Sequence, residues 1–424
     1  MTQAVLLFPG QGSQESGMGR DLAEASSDAM NLWKQAERIS GLPLREIYWE
    51  GDDAAMSDTR ALQPALTVVN LNLWSAVAAR AAVCGAAGHS LGEFSAMAAA
   101  GVISAECALE LTALRGRLMA EADPEGKGGM AALLKLDQPA IEEIVAETIA
   151  QCGELLLVAN YNTPGQLVIS GTKAAVALAC QKAKERKGRG LELKVSGAFH
   201  SPMMAEANKE LAPLLRKAVW SKPKFPVYCN AHGKAVTDGE SARESLLVQM
   251  TSSVQWIETV RNQYADGARR WLELGPKPVL GKMVAPCLAG TATAEDLAIE
   301  LVKVEQVAQQ RANIHAGQGF VYHQTRLFAG GELQPAIEIA AINQRRDVFQ
   351  QQLVWRKRQF AAHLLHGEAP GSQLGNADVA SQVERLEPVQ VKFAVAIKQP
   401  HTVASGFSQI AVQVELAQAE ADIM

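Results

Sequence analysis

Gly88-His89-Ser90-Leu91-Gly92-Glu93 is the stretch on which the fold turns. It fits the pattern G-x-S-x-G, follows a weakly strand-like run at 82–86 and precedes an Ala-rich helical segment. A serine between two glycines at a strand-to-helix junction needs a sharp turn, which exposes its hydroxyl at a helix N-terminus. The plain alternative is a serine that only caps the helix over 93–100.

Outward from this turn, the first 290 residues alternate between strand and helix patterns. Residues 4–8 are a short apolar run ending in Pro9-Gly10-Gln11-Gly12, which suits a buried strand followed by a loop. Leu66, Val69, Leu73 and Val77 recur at helical spacing across 63–80. Between 127 and 199 the pattern becomes strand (130–136), helix (138–152), two strands (155–160 and 166–170) around Asn162-Thr163-Pro164-Gly165, helix (172–186) and strand (191–195). That order, β-α-β-β-α-β, is the ferredoxin-like split motif. Because α/β character resumes at 225–229 and 271–274, the unit reads as an insertion. The expected organisation is an α/β core from 1–126 and 197–290, a ferredoxin-like insertion at 127–196, and a C-terminal extension of unknown fold at 291–424. The last boundary rests on Gly275-Pro276-Lys277-Pro278 and on composition: all six cysteines precede residue 290, and His315, His323, His363, His366 and His401 follow it. Within the extension, 293–312 and 340–365 are expected helical, and 389–397 and 409–416 strand-like. Truncation after Gly290 is expected to leave a folded protein.

Composition excludes several functional classes. With 48% hydrophobic and 20% charged residues, a large core is available. Forty Lys and Arg against 45 Asp and Glu give a net charge of −5, which offers no cationic excess for nucleic acid. The N-terminus lacks a basic n-region, and no stretch reads as a spanning helix, so neither a signal peptide nor a membrane partner is expected. The cysteines form no C-x-x-C pair and read as reduced thiols of a cytoplasmic protein, not as a metal site.

A nucleophilic serine needs a base. His200, in Gly197-Ala198-Phe199-His200-Ser201, sits past a predicted strand, and no acid stands in the order of a Ser-Asp-His triad. A Ser90–His200 dyad oriented by a carbonyl or amide oxygen is the reading. Gly10-Gln11-Gly12 exposes backbone N–H groups suited to an oxyanion hole. Arg115, in Leu114-Arg115-Gly116, is a solvated helix charge or a fork for a substrate carboxylate.

Phe8-Pro9-Gly10-Gln11-Gly12-Ser13-Gln14, Gly88 to Glu93, Arg115-Gly116, Ala198-Phe199-His200-Ser201 and Gln249 ahead of Val254 and Trp256 occur in one order. Asn160-Tyr161-Asn162-Thr163-Pro164-Gly165-Gln166 adds another segment. Together they resemble the malonyl-CoA:acyl-carrier-protein transacylase family, which includes fatty-acid-synthesis enzymes and polyketide synthase acyltransferases. The resemblance spans roughly residues 3–290. It implies an α/β-hydrolase-like core and ping-pong transfer of malonyl from CoA to the phosphopantetheine thiol of acyl carrier protein, with no cofactor. It implies Ser90 as nucleophile, His200 as base, Gln249 orienting His200 through its oxygen, and the N–H groups of Gln11 and Leu91 as oxyanion hole. Arg115 would hold the malonyl carboxylate, with Phe199, His89 and Asn160 also against substrate. A proofreading acyl hydrolase would use the same dyad but lack the arginine. The family's usual Thr-Ser-Pro-Val is here Thr251-Ser252-Ser253-Val254, so the proline that shapes the loop beside the imidazole is missing.

Overall fold

The computed structural model describes residues 3–79, 81–292 and 297–302. Ten strands occur among them: β1 (Ala4–Phe8), β2 (Val83–Gly88), β3 (Gly128–Leu134), β4 (Leu156–Thr163), β5 (Gln166–Thr172), β6 (Arg189–Glu192), β7 (Val227–Tyr228), β8 (Ala235–Val236), β9 (Arg270–Leu274) and β10 (Ala298–Val302).

Six of them form one sheet in the order β10-β9-β1-β2-β7-β8, parallel except for the β7–β8 pair. β1 is buried along its whole length, as expected for a central parallel strand covered on both faces. The helix Thr59–Val77 carries an unbroken buried run from Ala61 to Leu73, so it crosses the interior and is not a surface helix. Its close partner is the helix Ala105–Glu121. A Cβ at Gly116 would come 2.7 Å from the Thr59 carbonyl oxygen, so only glycine lets the two backbones approach this near.

The other four strands form an antiparallel sheet, β4-β5-β3-β6, with the helices Gln138–Cys152 and Lys173–Glu185 in between in the chain. Ile141, Ile144, Val145, Val176, Ala179 and Ala183 bury one stripe of these helices. They share a core cluster with Ala131, Leu133, Val158, Leu167 and Ile169 of the strands. The turn between β4 and β5 is tighter than expected. Asn162 and Thr163 belong to β4, leaving Pro164-Gly165 as the reversal.

Two expectations need correction. A helix was expected across 293–312, yet Ala298–Val302 is a strand that pairs in parallel with β9. The Ala- and Glu-rich composition suggested a helix, but the edge of β9 offers a ladder. Arg270 on β9 also meets Glu300 at 2.9–3.0 Å. The core therefore continues past residue 290, and a chain ending at Gly290 would bare the β9 edge. The segments expected at 340–365, 389–397 and 409–416 lie outside the described residues. Among the described residues, no helix is long and apolar enough to cross a membrane.

Candidate active site

Parallel register brings the first two motifs together. Phe8 pairs with Gly88, and the His89 N–H donates to the Phe8 carbonyl at 3.0 Å, so the loops leaving β1 and β2 run side by side. An added Cβ at Gly10 would lie 2.5 Å from the His89 carbonyl oxygen and 3.6 Å from the Leu91 nitrogen, so the start of the first loop lies against the elbow. The loops are in near contact: an added Cβ would lie 1.9 Å from the Phe8 oxygen at Gly92 and 1.9 Å from Gly92 itself at Gly88. Both elbow glycines are steric necessities. Among the described residues, the backbone N–H groups of Gln11 and Leu91 have no acceptor within the protein, as donors kept for a ligand oxygen should.

Ser90 has φ 51°, a left-handed conformation that a non-glycine residue holds at a cost of about 1–3 kcal/mol. Its N–H donates to Asn230 Oδ1 at 2.6 Å and its carbonyl accepts from Gln249 Nε2 at 2.9 Å. Asn230 follows β7 and also donates through Nδ2 to the Gly88 carbonyl at 2.6 Å. The site thus stands off the carboxyl ends of β1, β2 and β7, where parallel sheets place their functional loops.

His200, also on left-handed backbone at φ 56°, lies with Nε2 2.7 Å from Ser90 Oγ. Its Nδ1 faces two main-chain carbonyls, Ser252 at 3.0 Å and Gln249 at 3.2 Å. Carbonyl oxygens only accept, so Nδ1 carries the proton and Nε2 presents a lone pair to the serine hydroxyl. Burial, then the Arg115 charge and His89, push the imidazole down to about 3, against the opposing pull of the two carbonyls. The ring is neutral at pH 7, the form a base requires.

The oxygens that face His200 Nδ1 are therefore the backbone carbonyls of Ser252 and Gln249, with no part taken by the Gln249 side-chain amide. That amide is engaged elsewhere: Oε1 accepts from Arg115 Nη2 at 3.0 Å, and Nε2 donates to Ser90 O and to Glu93 Oε2. Where the proline is missing, Ser253 Oγ donates to the Val158 carbonyl at 2.7 Å and Val254 bridges to Asn160.

Arg115 is 1% exposed, which removes the solvated-charge alternative. Nη1 donates to Gln63 Oε1 at 2.8 Å, and Nη2 donates to Ser90 Oγ at 3.1 Å. The guanidinium stacks 5.6 Å from the Phe94 ring. Burial lowers it to about 10, with Glu93 opposing, so it stays cationic at pH 7. His89 Nε2 donates to Asn162 Oδ1 at 2.8 Å, and its ring packs on Trp256. Burial lowers its pKa as well. The asparagine that reaches His89 is thus Asn162, while Asn160 contributes a β-bridge. Phe199 is buried beside His200.

Sequence reasoning missed Gln63, Asn162, Asn230 and Glu93 as site residues. Asn162 and Glu93 stood within quoted motifs without a role, whereas Gln63 and Asn230 carry no local signal at all. Among the described residues no His/Cys/Asp/Glu group is arranged to hold a metal.

The family model "Acyl transferase domain" matches residues 5–326. The malonyl CoA-acyl carrier protein transacylase of Bacillus subtilis is 37% identical over 290 residues, covering 67% of this chain and 90% of that protein. The Escherichia coli K12 protein of the same name is 37% identical over 286 residues, covering 66% and 91%. Among solved structures, an acyl carrier protein S-malonyltransferase from Vibrio cholerae superposes with TM-score 0.66 at 34% identity, covering 71% of this chain and 97% of that one. A malonyl-transacylase in complex with a type II PKS acyl-carrier protein gives TM-score 0.66 at 32% identity, covering 73% and 99%.

Proposed function

The chain belongs to the malonyl-CoA:acyl-carrier-protein transacylase family, and from that premise we propose that it moves a malonyl group from CoA to the phosphopantetheine thiol of an acyl carrier protein. Ser90 Oγ attacks the thioester carbonyl as His200 Nε2 takes its proton, and the CoA thiolate leaves with that proton. The carrier thiol then attacks the Ser90 malonyl ester, and the serine oxygen recovers its proton. Each half-reaction passes through a tetrahedral oxyanion facing the N–H groups of Gln11 and Leu91. Every role is filled by the chain's own side chains and backbone, so the reading includes no cofactor.

One observation carries the choice of acyl group: Arg115 Nη2 stands 3.1 Å from the nucleophilic oxygen in a buried site. A guanidinium this near meets a carboxylate borne on the carbon next to the ester carbonyl, as in malonyl. Gln63 and Gln249 already meet Nη1 and Nη2 with neutral oxygens, while Nε has no partner, so an acetyl group would not strand the two terminal nitrogens. Discrimination comes instead from exchanging neutral acceptors for a carboxylate, the stronger partner. Phe199, His89 and Asn160 complete the acyl side of the site in this reading, with Phe199 crowding the α-carbon.

The architecture fits the same proposal. The six-stranded, mostly parallel sheet is an α/β-hydrolase-like core in this reading, and residues 127–196 are a ferredoxin-like insertion, for which the strand order β6-β3-β5-β4 is the support. Free cysteines suit a cytoplasmic protein. Partners are malonyl-CoA and acyl carrier protein, with neither nucleic acid nor membrane involved.

The test is transfer from malonyl-, methylmalonyl- and acetyl-CoA to purified fatty-acid and polyketide carrier proteins, with hydrolysis followed separately. Malonyl-carrier should accumulate faster than free malonate. Predominant hydrolysis would instead make this an acyl hydrolase.

A further inference from the structure

Glu93 is fully buried on the first turn of the helix Gly92–Ala99, yet no step of the transfer uses it. Its Oε2 accepts two hydrogen bonds, from Gln249 Nε2 at 2.9 Å and from the Asn230 N–H at 3.2 Å. These are the two residues that grip the Ser90 backbone, Gln249 at its carbonyl and Asn230 at its N–H. They come from chain segments far from Ser90 and from each other: Asn230 follows β7, and Gln249 ends the helix Gly239–Gln249. One carboxylate oxygen, three residues beyond the serine, ties both to the strained turn.

The consequence reaches Arg115. The Gln249 amide has two ends with opposite chemistry. With its nitrogen held by Glu93 and Ser90, its oxygen must face the guanidinium. Without the acceptor at 93, only the Ser90 carbonyl still holds the nitrogen, and the amide is freer to turn its oxygen away from Nη2. We infer that Glu93 is a positioning residue that fixes the orientation of Gln249, and through it the aim of Arg115 at the acyl carboxylate. It touches no reacting atom. The inference rests on the malonyl-transfer reading above.

Glu93→Gln tests it at constant volume. The other carboxylate oxygen, Oε1, has the Cys229 thiol beside it and no conventional hydrogen bond. A glutamine there must either place NH2 at that spot or turn NH2 toward two donors. In the first arrangement the amide oxygen keeps both hydrogen bonds as a neutral, weaker acceptor than a carboxylate, and in the second it loses them, so either way Gln249 is held less firmly. Carrier-protein transfer should show malonyl kcat/KM falling about tenfold in E93Q while acetyl kcat/KM stays within about threefold, so the malonyl-to-acetyl ratio drops. A purely structural residue would move both substrates together. In a Gln249→Ala background, E93Q should change the ratio less than about twofold, since the residue it acts through is gone. E93M, which removes the acceptor altogether, should lower the ratio further. If E93M fails to fold, E93Q and the double variant decide alone. An unchanged ratio in E93Q, parallel loss of both substrates, or an undiminished effect in the Gln249→Ala background each overturns the inference while leaving malonyl transfer standing. Absence of malonyl transfer in the wild type takes down both.

Discussion

The two sheets bury different kinds of side chain. In the four-stranded unit the interior is mainly Leu133, Ile141, Ile144, Val158, Leu167 and Ile169. Its buried polar groups, Thr148, Ser170, Asn160, Asn162 and Thr163, are neutral, and its charges stay outside, as in the Arg186 pairs with Glu143 and Glu147. In the six-stranded unit, Glu93, Arg115, Gln63, Gln249 and Asn230 are all at most 1% exposed. A buried apolar group costs nothing beyond its entropy, whereas a buried polar group must be matched by a partner. The first unit is stable for its own sake. The second holds a costly cluster in place because the chemistry depends on it.

If that contrast holds, substitutions in the cluster should change rates and substitutions in the four-stranded unit should change stability. The largest expected effect is Ser90→Ala, with loss of turnover on the order of 10⁵-fold or more and no covalent labelling by malonyl-CoA, read by intact-mass spectrometry. A malonyl adduct on the variant would move the nucleophile elsewhere. His200→Ala comes next, at roughly 10²–10⁴-fold on both half-reactions in single-turnover assays. Slowing of deacylation alone would mean that another group activates Ser90.

Arg115→Ala should cost malonyl transfer about 2–5 kcal/mol, the range for stranding one member of a buried charge pair. Acetyl transfer should fall less, because its loss is only of neutral contacts and packing. An unchanged ratio of the two kcat/KM values would sink the carboxylate role. Ile144→Ala sits on the other side of the comparison. It should lower unfolding free energy by about 2–5 kcal/mol while kcat/KM at a temperature well below the melting transition stays within about twofold. A large kinetic effect there would couple the units and break the contrast.

The same contrast explains what could be read from the sequence. Helix 138–152 was legible to the residue from its apolar spacing: Ile141, Ile144 and Val145 mark its buried face, while Ile149, at the same spacing, is 40% exposed. Such signals are local. Ser90, Arg115 and His200 were legible through motifs that fit one backbone geometry each. Asn230 and Gln63 were not, because what defines them is a partner over fifty residues away: Asn230 with Ser90, Gln63 with Arg115. That an oxygen orients His200 was legible from the absence of an acid, and Gln249 does contribute one. The Ser252 carbonyl beside it was not, because a backbone oxygen leaves no trace in residue identity. β10 failed differently, its alternation too short to outweigh helical composition until the β9 edge was in view.

The smallest effect concerns pH, to which the polar cluster contributes two opposed titrations. Burial holds His200 near 3, well below an ordinary histidine, so between about pH 6.5 and 3 the unfolded chain binds a proton that the folded one does not. Stability from this residue therefore falls as pH drops through that window. Glu93 runs the other way. Burial raises it to about 7, with the hydrogen bonds from Gln249 and Asn230 opposing, so between about pH 7 and 4.5 the folded protein holds the extra proton. Its contribution rises as pH falls. From about 6.5 to 4.5 the two slopes, each about 1.4 kcal/mol per pH unit, oppose and nearly cancel. Glu93→Gln removes one of them. Urea unfolding at pH 6.5 and 5.0 should then show the variant losing about 2 kcal/mol relative to wild type across that interval, while Ile144→Ala runs parallel to wild type. Parallel lines for E93Q would mean that Glu93 does not titrate in this range. A pH-dependent gap for Ile144→Ala would place a titrating group in a core that the comparison holds to be free of charge.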